Sequence, residues 1–142
     1  MTRALRITLY SGLLALATAG AADAQTATYR IEGDGIPQSL TGKPGDATRG
    51  RALIAKGDKA NCLTCHAIKG MPGGGTKGPS LDGAGAALTP AQLRLSVVDF
   101  SRVTRGTAMP SFHSSAGLTG GGPKLSAEEV EDVVAYLMTL RK

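Results

Sequence analysis

The sequence predicts an all-α fold of three to five short helices joined by unusually long loops. Three observations point to it: capped amphipathic segments near residues 46, 89 and 126, Gly- and Pro-dense connections between them, and no convincing alternating strand pattern. With 142 residues the chain has room for one domain and little else.

The first 24 residues read as a removable export segment. Met1 to Arg6 is a short basic start, Ile7 to Ala19 is uncharged and apolar, and Ala22-Asp23-Ala24 is a small-x-small cleavage site. Cleavage after Ala24 is expected, with a periplasmic destination. The alternative, a retained N-terminal anchor, lacks a stop-transfer flank. Residues 25–45 mix Gly, Pro, Thr and Ser without a sustained period and form an irregular N-terminal arm, leaving 46–142 as the domain proper.

Asp46 can cap a helix over Ala47 to Lys56, with Leu53 and Ile54 facing inward, Gly50 offering a smooth patch for a crossing helix, and Gly57 ending it. Seven glycines and two prolines between Gly70 and Gly85 make that stretch a wrapping loop. Thr89-Pro90-Ala91-Gln92 is a capping box with Pro at the first helical position, opening a helix to about Val98. Asp99 to Lys124 is a second loop. Ser126 to Glu129 is another capping box, followed by Val130, Val133, Val134 and Leu137 at helical spacing, with an end near Leu140.

The net charge of +5 comes without a Lys/Arg run or interleaved aromatics, so nucleic acid is not indicated. No Trp and only two Phe give a thin core, which a bound apolar cofactor would fill. The two cysteines, Cys62 and Cys65, are too close together to staple distant segments. They belong to Cys62-Leu63-Thr64-Cys65-His66. Two thiols at this spacing can each add across a haem vinyl group, and the adjacent His66 then serves as proximal iron ligand. A thioredoxin-like dithiol would need a βαβ context. A zinc site would have only Cys62, Cys65, His66 and His113 as ligands, in an unusual spacing.

For a sixth ligand, Met71 is too close to His66 and Met138 falls late in the last helix. Met109 sits in a loop, with Pro110 restricting it to extended backbone. A gap-filling core role is the alternative for Met109, and His113 is the competing ligand or else an exposed loop residue. The second ring nitrogen of a proximal His needs an acceptor, and the Pro79 carbonyl in Gly78-Pro79-Ser80-Leu81 is a candidate, a simple turn being the alternative. Lys56, Lys59, Lys69 and Lys77 flank the motif and read by default as a solvated face. Arranged around an exposed cofactor edge, they would steer an acidic redox partner.

From Asp46 to Leu140 the sequence resembles the class I c-type cytochromes: a helix with Gly50 that crosses a C-terminal helix bearing Tyr136, the Cys62–His66 motif, the Gly78–Leu81 stretch and Met109-Pro110. Within that class it resembles the SoxX family. The narrower likeness lies in Gly35-Ile36-Pro37, Leu40-Thr41-Gly42, Pro44 to Ala47 with Arg49 to Arg51, Ala91 to Arg94 with Val97 to Asp99, Ala108 to Phe112, and Glu129 to Leu140. The resemblance implies a class I cytochrome c fold around one covalent haem c, Cys62 and Cys65 as thioether cysteines, and His66 and Met109 as iron ligands. It also implies a heterodimer with a SoxA-like cytochrome subunit in thiosulfate oxidation, where thiosulfate is joined to a carrier-protein cysteine. The catalytic centre of that L-cysteine S-thiosulfotransferase would be on the partner, with no catalytic residue here. Electrons would pass on to a downstream cytochrome. In this reading the arm lies across the partner, so that deleting residues 25 to 42 weakens the heterodimer and leaves the haem spectrum normal. The competing functions are a free-standing cytochrome c serving another dehydrogenase or oxidase, and a haem-free dithiol or metal-binding protein.

Overall fold

Asp46 accepts hydrogen bonds from the backbone N–H groups of Thr48 and Arg49 at 2.7 and 3.0 Å, and α1 (Ala47–Lys56) begins there. It stops at Gly57, whose φ of 66° is the left-handed conformation that glycine adopts without a β-carbon clash. The structure is a computed structural model and describes residues 27–114 and 124–142. The export segment, its cleavage site and the Gly-rich stretch 115–123 lie outside the described residues.

After α1, a 3-10 turn at Cys62–Thr64 carries the cysteine motif, and a long loop runs to α2 (Ala84–Ala87). This short helix falls at the end of the stretch expected to be loop throughout. It forms because Gly85 lets it sit against the carbonyls of Leu137 and Met138, with Gly85 N–H donating to Leu140 O at 2.8 Å. α3 (Pro90–Asp99) opens on the Thr89/Gln92 capping box and leads into a 3-10 turn at Phe100–Arg102. α4 (Ala127–Leu137) opens on the Ser126/Glu129 box. It ends three residues before the expected Leu140, because the chain tightens as Thr139 N–H bonds to Tyr136 O at 2.9 Å.

α1 crosses α4 at Gly50. A β-carbon at that position would overlap the Asp132 carbonyl and reach 3.0 Å from Tyr136 Cβ, so the glycine permits the crossing. Asp132, buried in α4, fastens the same corner: it accepts from Asp46 N–H at 2.6 Å and from the Arg49 guanidinium at 2.7 and 2.8 Å. Ile54, Leu95, Val98, Leu125, Val130 and Val133 are in the core around these helices. Among the described residues there is no strand, only an isolated bridge between Glu32 and Gly35, and no helix is long and apolar enough to cross a membrane.

The described part of the arm packs on this chain's own body. Ile36 is fully buried in the core, and its N–H bonds to Ala91 O at 3.0 Å. Arg94 Nη1 donates to Ile36 O at 2.6 Å, and Leu40 N–H donates to Glu131 Oε1 at 2.9 Å. The arm lacks a period because it is held residue by residue by α3 and α4. Such contacts leave no repeating pattern in sequence.

Candidate functional site

The motif's geometry begins with one carbonyl. Cys62 O accepts the N–H groups of both Cys65 and His66, at 3.1 and 2.9 Å, which winds Cys62 through His66 into a single turn. Both cysteines are free and half-buried. Burial pushes the Cys62 thiol up to about 11, so it is neutral at ordinary pH. Redox-active dithiols work through a lowered thiol pKa, so this environment is the wrong one for thioredoxin-like exchange.

The Gly-rich loop is laced onto this turn. Gly75 N–H donates to Leu63 O and Gly78 N–H to Cys65 O, each at 2.8 Å, and Leu81 N–H donates to Ala67 O at 2.9 Å. The lacing brings the Pro79 carbonyl to 2.7 Å from His66 Nδ1. A carbonyl only accepts, so Nδ1 is the donor, and in the neutral imidazole Nε2 is then the nitrogen that offers a lone pair. Gly78 packs directly on the imidazole, where a β-carbon would overlap the ring. Sequence reasoning named Gly78 only as part of the Gly78–Leu81 stretch; its packing on the imidazole carries no sequence signal, because six other glycines share the loop.

The other predicted residues fall elsewhere. Met109 comes from the loop after α3 and is half-buried against the core cluster, its N–H bonded to Thr107 Oγ1 at 3.1 Å. Met71 is buried in the core, and Met138, at the end of α4, is partly buried against that core. His113 is neither an exposed loop residue nor available as a ligand. It is fully buried, with Nε2 accepting from Ala27 N–H at 2.9 Å and Nδ1 donating to Leu125 O at 2.8 Å. Both ring nitrogens are therefore engaged in pinning the arm and the approach to α4. Among the described residues, no group of three or more His, Cys, Asp or Glu side chains forms a metal-binding cluster. Lys59 pairs its ammonium with Glu129 at 2.6 Å, and all four lysines, Lys56, Lys59, Lys69 and Lys77, are exposed.

Two free thiols on one turn, an imidazole held at Nδ1 by the Pro79 carbonyl, and a glycine leaving room against the ring fit a covalently attached haem. Comparison with known proteins gives the same chemistry. The family described as cytochrome c matches residues 47–141. A chain of the crystal structure of SoxXA from P. pantotrophus is 32% identical, with a TM-score of 0.76 over 83% of this chain and 98% of that one. The c-type cytochrome SorU from Sinorhizobium meliloti is 21% identical, with a TM-score of 0.47 over 67% of this chain and 90% of that one. Ferric cytochrome c-550 from Paracoccus versutus is 23% identical, with a TM-score of 0.41 over 69% and 99%. A comparison with curated proteins gives no match. The family match across the whole helical body, with the Cys62, Cys65 and His66 spacing proper to covalent haem c, makes this chain a member of the cytochrome c family, an electron-transfer c-type cytochrome.

Proposed function

We propose that the chain carries one haem c and works as the SoxX-like, electron-accepting subunit of a periplasmic SoxAX-type complex. The observation that carries the haem assignment is the His66–Pro79 hydrogen bond, which orients the imidazole and reserves Nε2 for iron. In this reading Cys62 and Cys65 hold the haem through thioether bonds, His66 Nε2 is the proximal ligand and Met109 the distal one. When bound, the haem supplies a one-electron Fe(III)/Fe(II) couple. The chain's own residues hold that group at fixed geometry. Pro79 stops the imidazole from rotating, Gly78 keeps the ring close, and a soft thioether favours the reduced state. With His66 and Met109 holding the iron and Cys62 and Cys65 used for attachment, this chain would offer no open site for substrate, and bond-making with thiosulfate would belong to a SoxA-like partner. Electrons would arrive from that partner and leave to another cytochrome.

The similarity to the SoxXA chain supports the subunit reading, because it spans nearly all of that chain. A second reading, a free-standing carrier, is favoured by the arm, which finds its contacts on α3 and α4 and needs no partner to order it. Co-expression with a SoxA-like protein decides between them. The subunit reading expects a one-to-one complex by size exclusion and no rapid reduction of the isolated chain by thiosulfate; elution as a partner-free monomer favours the carrier. For the ligands, oxidised protein should show the weak far-red sulfur-to-iron band, lost in Met109→Ala with haem still attached. Loss of the band in Met71→Ala or Met138→Ala instead overturns the choice of Met109.

A further inference from the structure

Asp99 is an unexpected residue where it stands. It ends α3, where the helix dipole disfavours negative charge, and it is 1% exposed. Its Oδ1 collects three donors: Ser101 N–H at 3.1 Å, Ser101 Oγ at 2.5 Å and Ser111 Oγ at 2.8 Å. Arg102 Nε stands 3.6 Å from Oδ2. The two Ser101 bonds are local and shape the 3-10 turn. The Ser111 bond is not local, for it spans from the end of α3 to the residue that follows Met109-Pro110.

The backbone shows what that bond controls. Upstream, Met109 N–H is held by Thr107 Oγ1 at 3.1 Å. Pro110 has no N–H to donate. Downstream, Phe112 N–H bonds to Val98 O at 3.2 Å and His113 N–H to the same oxygen at 3.3 Å. Ser111 Oγ is thus the side-chain tie nearest to Met109 on its C-terminal side, and a buried carboxylate makes it a strong, charge-assisted one.

We propose that Asp99 is the positioning residue for Met109, holding the methionine loop in place through the Ser111 hydroxyl so that the thioether stays on the iron. The proposal rests on the reading of Met109 as distal ligand. It predicts that weakening the Asp99–Ser111 bond raises the population in which the thioether is off, without unfolding the helices. Exogenous imidazole reads that population directly, because its apparent affinity scales with the fraction of protein whose distal position is open.

The experiment titrates oxidised holoprotein with imidazole, following loss of the far-red band, and records far-UV circular dichroism of the same samples. Ser111→Ala should bind imidazole about tenfold more tightly than the parent, the fold-change expected for loss of a hydrogen bond to a charged group. Asp99→Asn should move in the same direction, and Ser111→Thr, which restores the hydroxyl, should return to within about twofold of the parent. Ile54→Val, a core change remote from this loop in sequence, should lower the unfolding midpoint with imidazole affinity unchanged. Parent-like affinity in Ser111→Ala overturns the proposal, as does an equal rise in Ile54→Val. Met109→Ala tests the underlying reading separately: if the far-red band persists there, the ligand assignment fails, whatever Ser111→Ala does.

Discussion

Glu131 grips Arg94 through both carboxylate oxygens, at 2.7 and 2.9 Å, with side-chain exposures of only 4% and 7%. The pair joins α3 to α4, and its remaining hydrogen-bonding capacity goes to the arm: Arg94 to Ile36 O, Glu131 to Leu40 N–H. Two opposite charges out of water are tolerable only with this completeness of bonding. The arrangement therefore makes the arm part of the fold, since removing it would strip partners from a buried ion pair.

Glu131→Gln should destabilise the protein by about 3–5 kcal/mol, because it leaves the Arg94 guanidinium buried without its counter-charge. The double change Arg94→Met with Glu131→Leu should cost less than the single one. Denaturant unfolding monitored by circular dichroism measures both.

Ile36→Ala should cost about 2–5 kcal/mol, the range for truncating a fully buried aliphatic side chain. By the same contacts, deleting residues 25–42 should lower the unfolding midpoint of the isolated chain. A midpoint unchanged by either alteration would show that the arm's contacts carry no stability.

Gly78→Ala should lower the ratio of haem to protein in purified material and destabilise it by about 1–3 kcal/mol, as overpacking does. The new methyl group meets the His66 imidazole, so the ring must turn away from Pro79 O or the loop must lift. Pyridine haemochrome absorbance against total protein gives the ratio.

The buried or hydrogen-bonded carboxylates should make stability fall with acid below about pH 5. Asp46 is held below the ordinary 3.8 by the N–H groups of Arg49 and Thr48, and Asp82 by Lys69 N–H and Ser80. At Asp99 burial pushes the carboxyl up, but the Ser101 and Ser111 hydrogen bonds and Arg102 outweigh it and hold it below 3.8. In each case the unfolded chain binds protons first as pH drops. The contribution is complete above the unfolded value and is lost as pH falls through the folded one. Asp99→Asn should make the acid limb shallower, as read by unfolding midpoints from pH 6 to pH 3.

The helices on which the site hangs were readable because their ends are written in side chains: Asp46, Thr89 and Ser126 each accept from their own first turn, and Gly57 ends α1. The Cys62–His66 turn was readable for a similar reason, as short-range chemistry at fixed spacing, whereas the Pro79 carbonyl, thirteen residues from His66, was a candidate that sequence alone left open against a simple turn. What was missed depends on long-range partners. Arg94 and Glu131 look like ordinary helix-surface charges until the arm covers them. Nothing near His113 in sequence announces Ala27 or Leu125 as its partners. α2 has no amphipathic period, being Ala and Gly alone, and is made by its seat against the end of α4.

The central claim, one haem bound covalently through Cys62 and Cys65, is tested most directly by acid-acetone extraction of the purified protein followed by intact-mass measurement. The account predicts that the colour stays with the polypeptide and that the mass exceeds that of the chain by a single haem. A colourless polypeptide of unmodified mass, with the haem free in the acetone, would contradict it.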